Sequence, residues 1–379
     1  MTYDIAIVGA GASGLAAGIA AGRAGAHVIL LERMPRAGKK ILATGNGRCN
    51  LGNRRALEHP YHNRDFATPA LEQFEGCEAF FDLLGLAIYE DAEGRLYPRS
   101  NTAASVLNAL RYGAARAECE ICCDCPVTEI KPVDGFIVNK SIYARQVIVA
   151  AGGCAAPAQG SDGSGFALLR ALGHRIVEPR PALVQIKVKS PVLAMLKGMR
   201  VQGSIKIMRE GRVLREAAGE VLFTQDGLSG IAAMEVSREA GPGALAVLDL
   251  LPEYTHETLT ALLSKWQGCF VDDTPAQLLA GLLPGRVAEA VAKVSNGDLA
   301  YICKNFTFEV AGTRGFEHAQ VTAGGADARE FDPLTMQSQI VPGLFACGEA
   351  LDVDGGCGGF NLHWAWASGI LAGSAAASG

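Results

Sequence analysis

The sequence predicts an α/β protein whose Rossmann-like nucleotide-binding domain is interrupted by a long β-rich insert. Three observations carry that expectation. A strand, a glycine turn and a helix open the chain; two later apolar strands, near 150 and near 347, end in small residues; and between them the texture changes to short alternating segments.

Asp4-Ile5-Ala6-Ile7-Val8 is a short apolar run that leads into Gly9-Ala10-Gly11-Ala12-Ser13-Gly14 and the Ala-rich stretch Leu15 to Ala24. Each glycine of this G-x-G-x-x-G pattern has a physical reason. Gly9 makes the turn, Gly11 lets backbone approach a pyrophosphate, and Gly14 lets the helix pack on the strand, with Ala12 and Ser13 at the helix start that would hold the phosphates. A second strand, His27 to Leu31, ends at Glu32, which lies 32 − 14 = 18 residues past the last glycine. That is near the spacing at which a carboxylate binds the ribose hydroxyls of an unphosphorylated adenosine, as in FAD or NAD.

The stretch Gly38 to Asn50 is long and punctuated by glycine, which a simple NAD domain does not need. Lys39, Lys40 and Arg48 supply cations, Asn46 and Asn50 supply amides, and Gly47 supplies a turn, so the loop has the chemistry to wrap a pyrophosphate and reach toward an isoalloxazine ring. A solvated basic loop is the competing reading. Gln146 to Gly153 then forms a buried strand with Ala151 and Gly152 at its end, and Gly343 to Glu349 repeats the pattern, placing Gly348 and Glu349 where a ribityl chain would pass. Finally, Gly355-Gly356-Cys357-Gly358-Gly359-Phe360-Asn361-Leu362-His363 leads into an apolar helix from about Trp364 to Ala372. Its exposed amides would stabilise negative charge on a reduced flavin. These late returns favour FAD over NAD as the resident cofactor.

Past Pro179 and Pro181 the alternating segments, such as Ser204-Ile205-Lys206-Ile207-Met208, read as a β-rich insert. Glu253 to Gly268 and Thr274 to about Val294 have helical periodicity, with a break at Pro284. The expected organisation is a first part of the FAD domain over 1–180, a β-rich domain over 181–252 and 304–320, a small helical domain over 253–303, and the last part of the FAD domain over 321–379.

The chain has 379 residues, a formal charge of −5 and 46 glycines, which fits a globular protein with many tight turns and gives no bulk attraction for nucleic acid or anionic membrane. Met1-Thr2-Tyr3-Asp4 offers no basic leader, and no apolar run reaches membrane-spanning length, so the expectation is a soluble cytoplasmic protein. Eleven cysteines then read as reduced thiols. Cys119, Cys122, Cys123 and Cys125 contain two C-x-x-C spacings, but a strand through Glu120 to Asp124 turns alternate thiols to opposite faces, which does not build a metal cage. No metal site is expected.

Together these motifs resemble the bacterial BaiN-like flavoproteins, also described as aminoacetone oxidase family FAD-binding enzymes. The resemblance covers essentially the whole chain and is most specific at Gly38 to Asn50, Phe223 to Gly230, Ala319 to Gly325 and Gly348 to Leu362. It implies a discontinuous two-dinucleotide-binding flavoprotein domain into which a β-barrel-like domain and a small helical domain are inserted. It also implies FAD contacts at Gly9, Gly11, Ala12, Ser13, Gly14, Glu32, Arg33, Lys40, Asn46, Gly47, Arg48, Cys49, Asn50, Val127, Ala151, Gly152, Gly348, Glu349, Gly359, Phe360, Asn361 and Leu362. His363 stands where many relatives carry Gln, and Gln225 where His is frequent.

The expected activity is that of an FAD-dependent oxidoreductase, reduced by a donor such as NAD(P)H and reoxidised by a small-molecule acceptor or oxygen. No second G-x-G-x-x-G is visible, so a nicotinamide would bind transiently over the flavin. Cys49, Asn50, Asn361 and His363 are the candidate catalytic residues, though they form no recognisable set, and His363 beside Trp364 reads first as a packed residue. The rival reading is an RNA-modifying or RNA-binding flavoprotein, suggested by Arg33, Arg36, Lys39, Lys40, Arg48, Arg54 and Arg55.

Overall fold

A computed structural model describes residues 2–379. The chain divides into two compact units, the first comprising the residues up to Arg180 and those from Val321 to Gly379, the second Pro181–Gln320.

The first unit is built on a parallel sheet in the order Glu120–Cys122, Val28–Leu31, Thr2–Val8, Ile142–Val149, Leu344–Ala346. In the central register Ile7 lies beside Leu30 on one side and Ile148 on the other. Every residue from Ile5 to Val8 and from Val28 to Leu31 is buried, so these segments are continuous runs of Val, Ile, Leu and Ala with no polar alternation. The first half of Ile142–Val149 pairs antiparallel with Gly135–Val138, and that strand with Ile130–Val133. A small sheet of Gly52–Asn53, Arg95–Pro98 and Ile88–Glu90 lies apart from it.

All five parallel strands deliver their carboxyl ends to one edge. Gly9, Glu32, Val127, Ala151 with Gly152, and Gly348 with Glu349 each follow one of those ends within a few residues. This is the edge at which open α/β sheets bind ligands. The core beneath is filled by Ile5, Ile7, Leu15, Phe81, Phe136, Trp364 and Trp366, all nearly free of solvent contact.

The second unit closes the insert into a six-stranded barrel, in the order Ile186–Lys189, Gly227–Ser229, Arg212–Phe223, Arg200–Arg209, Leu245–Asp249, Phe306–Thr313. Along Arg200–Arg209 the inward residues Val201, Gly203, Ile205 and Ile207 alternate with outward polar ones, the period a strand with one buried face requires. Between the last two barrel strands run the helices His256–Cys269, Pro275–Leu279, Gly285–Val294 and Leu299–Lys304. Thr255 and Thr274 close capping boxes with Thr258 and Gln277, and the Asp298 side chain accepts the Tyr301 N–H.

Candidate functional site

The opening turn is shaped by what glycine permits. Gly9 has φ of +100° and donates to Leu31 O at 2.8 Å, and a Cβ there would lie 2.6 Å from Ala150 O. A Cβ on Gly14 would lie 2.0 Å from Gly9 O, so helix and turn touch backbone to backbone. Gly11 is different in kind: its φ is −81°, and nothing stands within 4 Å of the place a Cβ would occupy. Its glycine leaves open space beside the helix end. The first intrahelical bond of Ala12–Arg23 is Leu15 N to Gly11 O, so the N–H groups of Ala12, Ser13 and Gly14 have no helical acceptor. With no side-chain cap and no acid in the first turn, that end favours an anion.

Glu32 is buried, and each carboxylate oxygen already takes one backbone N–H, Oε2 from Ala10 at 2.9 Å and Oε1 from Met34 at 2.8 Å. A carboxylate has about four acceptor positions, so about two remain for hydroxyl donors. Its neighbour Arg33 is ion-paired with Asp162, and Val127 is buried beside the same edge.

The segment Gly38 to Asn50 is mostly 3-10 turns over Lys39–Gly47 rather than open loop, broken at Thr44, Gly45 and Asn46. Asn46, Gly47 and Cys49 all have positive φ. Lys40 Nζ meets Glu349 Oε2 at 2.9 Å, and Glu349 Oε1 accepts the Thr322 N–H at 2.9 Å. Two residues read separately from the sequence are thus one ion pair. Arg48 bonds Asn101 and Tyr89 and lies over the Tyr97 ring, so its charge is committed to the small sheet. Asn50 Oδ1 is buried without a hydrogen-bond partner, and a Cβ on Gly359 would sit 2.4 Å from it. A buried acceptor left open in this way calls for a donor from a ligand.

Gly359, at φ of +95°, starts the terminal helix Phe360–Ser378, and its carbonyl takes the His363 N–H at 3.0 Å. The N–H groups of Phe360, Asn361 and Leu362 therefore also lack helical acceptors. This helix is locked against the first one. A Cβ on Gly369 would be 2.4 Å from Ser13 O, and one on Gly373 2.1 Å from Ala17 O. Equal steps of four along both helices make them parallel. Phe360 precedes Gly369 by nine residues and Ala12 precedes Ser13 by one, so the terminal helix projects eight residues further. At 1.5 Å per residue its amino end stands about 12 Å beyond that of the first helix.

Of the four candidate catalytic residues, the structure gathers Asn50 and Asn361 at the Gly355–Gly359 turn and turns the other two inward. Asn361 bonds Gly355 N and the carbonyls of Gly355 and Gly356, fixing the turn. Cys49 is fully buried, which pushes its thiol up to about 11 and leaves it a poor nucleophile at neutral pH. His363 is buried against Cys77, with Nδ1 to Sγ at 3.6 Å, and against Phe74. Burial lowers its pKa to about 4, so it is neutral.

The sequence reading missed a segment that this turn rests on. The His59 imidazole stacks on Phe360 with centroids 3.6 Å apart, and its Nε2 accepts the Gly356 N–H at 2.8 Å. Tyr61 OH donates to Phe360 O at 3.0 Å, and His62 N donates to Asp354 O at 2.9 Å. His62 Nε2 lies 3.2 Å from Asp352 Oδ2, on a carboxylate that also accepts from Asn63 Nδ2 and Gly324 N. No spacing rule links residues 290 apart in sequence.

Elsewhere, Cys119, Cys122, Cys123 and Cys125 are all free thiols, and among the described residues no group of three or more His, Cys, Asp or Glu is arranged to hold a metal ion. No described helix is long and apolar enough to cross a membrane.

The sequence matches the HI0933-like protein Rossmann domain family over residues 3–375. It is 38% identical to the 3-dehydro-bile acid delta(4,6)-reductase of Clostridium scindens, covering 98% of each chain. It is 29% identical to the ribosomal RNA dihydrouridine synthase of Escherichia coli, covering 97% of this chain and 96% of the relative. Among solved structures, the 3-ketosteroid delta1-dehydrogenase of Sterolibacterium denitrificans, in complex with 1,4-androstadiene-3,17-dione, has a TM-score of 0.53 at 12% identity over 100% of this chain and 99% of that one. That likeness concerns the fold. With a parallel sheet, a closed barrel and a match along nearly its whole length, the chain belongs to the HI0933-like Rossmann family.

Proposed function

We propose that the protein is an FAD-dependent oxidoreductase that reduces a carbon–carbon double bond conjugated to a carbonyl group, with a reduced nicotinamide nucleotide as electron donor. The observation that carries this reading is the pair of parallel helices whose unpartnered amino ends stand about 12 Å apart along a shared direction. A pyrophosphate at the first end and a ring system at the second, joined by a ribityl chain, match that offset; NAD has no need of the second end.

The residues present fit FAD. Open space beside Gly11, about two further acceptor positions on Glu32 and the unpartnered Asn50 Oδ1 have the chemistry to meet its phosphates, ribose hydroxyls and ring N–H groups. When bound, FAD supplies hydride from its reduced ring to the electron-poor carbon of the alkene. The chain's part is then to hold and exclude. Ala12 to Gly14 hold the phosphates, the Lys40–Glu349 pair sets charge along the linker, and the amides of Phe360 to Leu362 stabilise negative charge on the reduced ring.

The relatives support the reaction class. A delta(4,6)-reductase of 3-dehydro-bile acids and a dihydrouridine synthase both name the addition of two hydrogens to an alkene conjugated to a carbonyl. A small hydrophobic enone is favoured over RNA because three cations of the basic stretch are already paired with carboxylates. Arg33 pairs with Asp162, Lys40 with Glu349, and Arg54 with both Glu78 and Glu90, while phosphate binding needs cations free to meet it.

Anaerobic titration tests the proposal. Purified protein carries flavin bands near roughly 370 and 450 nm; NADH or NADPH bleaches them, and a conjugated enone restores them. Colourless protein that cannot be reconstituted with FAD, or a bleached protein that no enone reoxidises, overturns it.

A further inference from the structure

Hydride addition to an enone is half a reduction. The carbon next to the carbonyl gains an electron pair and needs a proton, and the proposed function names no group to give it. Neither Cys49, with its raised thiol, nor neutral His363 is turned toward the glycine turn in a way that serves. Asn50 and Asn361 carry no transferable proton at neutral pH.

Resting on that reading, we infer that His62, oriented by Asp352, is the catalytic proton donor of the reaction. The imidazole has the three features such a group requires. One nitrogen is fixed, with Nε2 3.2 Å from Asp352 Oδ2. The fixing carboxylate is itself immobile, with a side chain only 5% exposed that accepts Gly324 N at 3.0 Å on Oδ1 and Asn63 Nδ2 at 3.2 Å on Oδ2. The second nitrogen is turned from the carboxylate on a side chain that is 38% exposed, so it can meet a substrate and be reprotonated from water. A buried carboxylate holding a half-exposed imidazole is the arrangement general acid catalysis uses.

Placement points the same way. Asp352 lies three residues before Gly355, His62 N bonds Asp354 O, and His59 in the same segment braces Gly356 and Phe360. The dyad therefore borders the turn that opens the terminal helix. His59 instead holds the turn, its Nε2 accepting the Gly356 N–H and its ring stacked on Phe360.

The balance is simple. A hydride from the reduced cofactor forms a C–H bond at the β-carbon as the alkene π bond breaks; a proton from His62 forms the C–H bond at the α-carbon; His62 takes a proton from water, and the nicotinamide donor restores the cofactor. Asp352 touches none of the reacting atoms and is a positioning residue.

The test uses full-length FAD-loaded protein, reduced anaerobically, with 3-oxo-4-cholenoic acid or cyclohex-2-enone as the alkene and ferricyanide as an acceptor that needs no proton. In His62→Gln, reoxidation by the enone falls about 100-fold, within the range general acids contribute, while flavin absorbance and ferricyanide reoxidation persist. In D2O the wild type places deuterium on one face of the α-carbon, and the variant loses that face selectivity as bulk water replaces the imidazole. Asp352→Asn shows the same split between acceptors to a smaller degree, and carries the test if His62→Gln fails to retain FAD. Equal enone rates and unchanged facial selectivity in both variants overturn the dyad alone. Failure of the wild type with both enones overturns the proposed function, and the dyad with it.

Discussion

Replacing Gly373 by alanine strikes the contact that sets the offset between the two helix ends. The new Cβ would lie 2.1 Å from Ala17 O and 2.8 Å from Ala17 C, where ordinary contact begins at 3.4 Å. The shortfall of 3.4 − 2.1 = 1.3 Å falls on backbone, which has no rotamer to yield, so the helices must part or slide. Overpacking of this kind costs about 1–3 kcal/mol, and the upper end applies because both partners are main chain. Alanine returns about 1 kcal/mol of helix propensity, leaving a net loss of about 2 kcal/mol. For a unit of this size, at about 2–4 °C per kcal/mol, Tm falls by about 4–8 °C. Differential scanning calorimetry of the apoprotein measures it, and FAD affinity, read by fluorescence, falls as the two ends lose their spacing. An unchanged or raised Tm would refute the claim that backbone contact locks these helices.

Gly11→Val is the complementary perturbation, since φ of −81° accepts a side chain and the space is open. Apoprotein stability stays within about 0.5 kcal/mol of wild type, while FAD binding is lost; a variant that binds FAD normally removes Gly11 from the cofactor site. His363, lowered from 6.5 to about 4 by burial, gives a pH signature. Above pH 6.5 the fold is indifferent to it, and as pH falls from 6.5 to 4 the unfolded state takes the proton first, so wild type loses up to about 3 kcal/mol that His363→Gln does not. Denaturant midpoints of the two proteins that run parallel through that window contradict the burial. Finally, Cys49 at about 11 and Cys347 at about 12 resist alkylation at pH 8 in the native state, whereas exposed Cys269 reacts; mass spectrometry after brief iodoacetamide treatment reads the difference.

What was legible in the sequence was local. Gly9 to Gly14 and Glu32 are readable because turn, helix start and strand end follow one another within a few residues, and each has a residue-type requirement. The capping boxes at Thr255 and Thr274 are local in the same way, each closed by a residue three positions on. Strand character in the insert was visible from alternation, but barrel closure depends on Ile186–Lys189 meeting Phe306–Thr313 across more than a hundred residues. Pairing of that range leaves no mark on local pattern. The Lys40–Glu349 and His62–Asp352 pairs are of the same kind, ordinary residues joined only by the fold. Asn361 was recognised by position while its work, tying Gly355 and Gly356, required the coordinates.

Amide hydrogen exchange of the apoprotein and the FAD-saturated protein tests the central claim most directly. One bound FAD should slow exchange at Ala12 to Gly14 and at Phe360 to Leu362 together, with the same dependence on FAD concentration. Protection confined to one of these helix ends, or absent from both, would contradict the account.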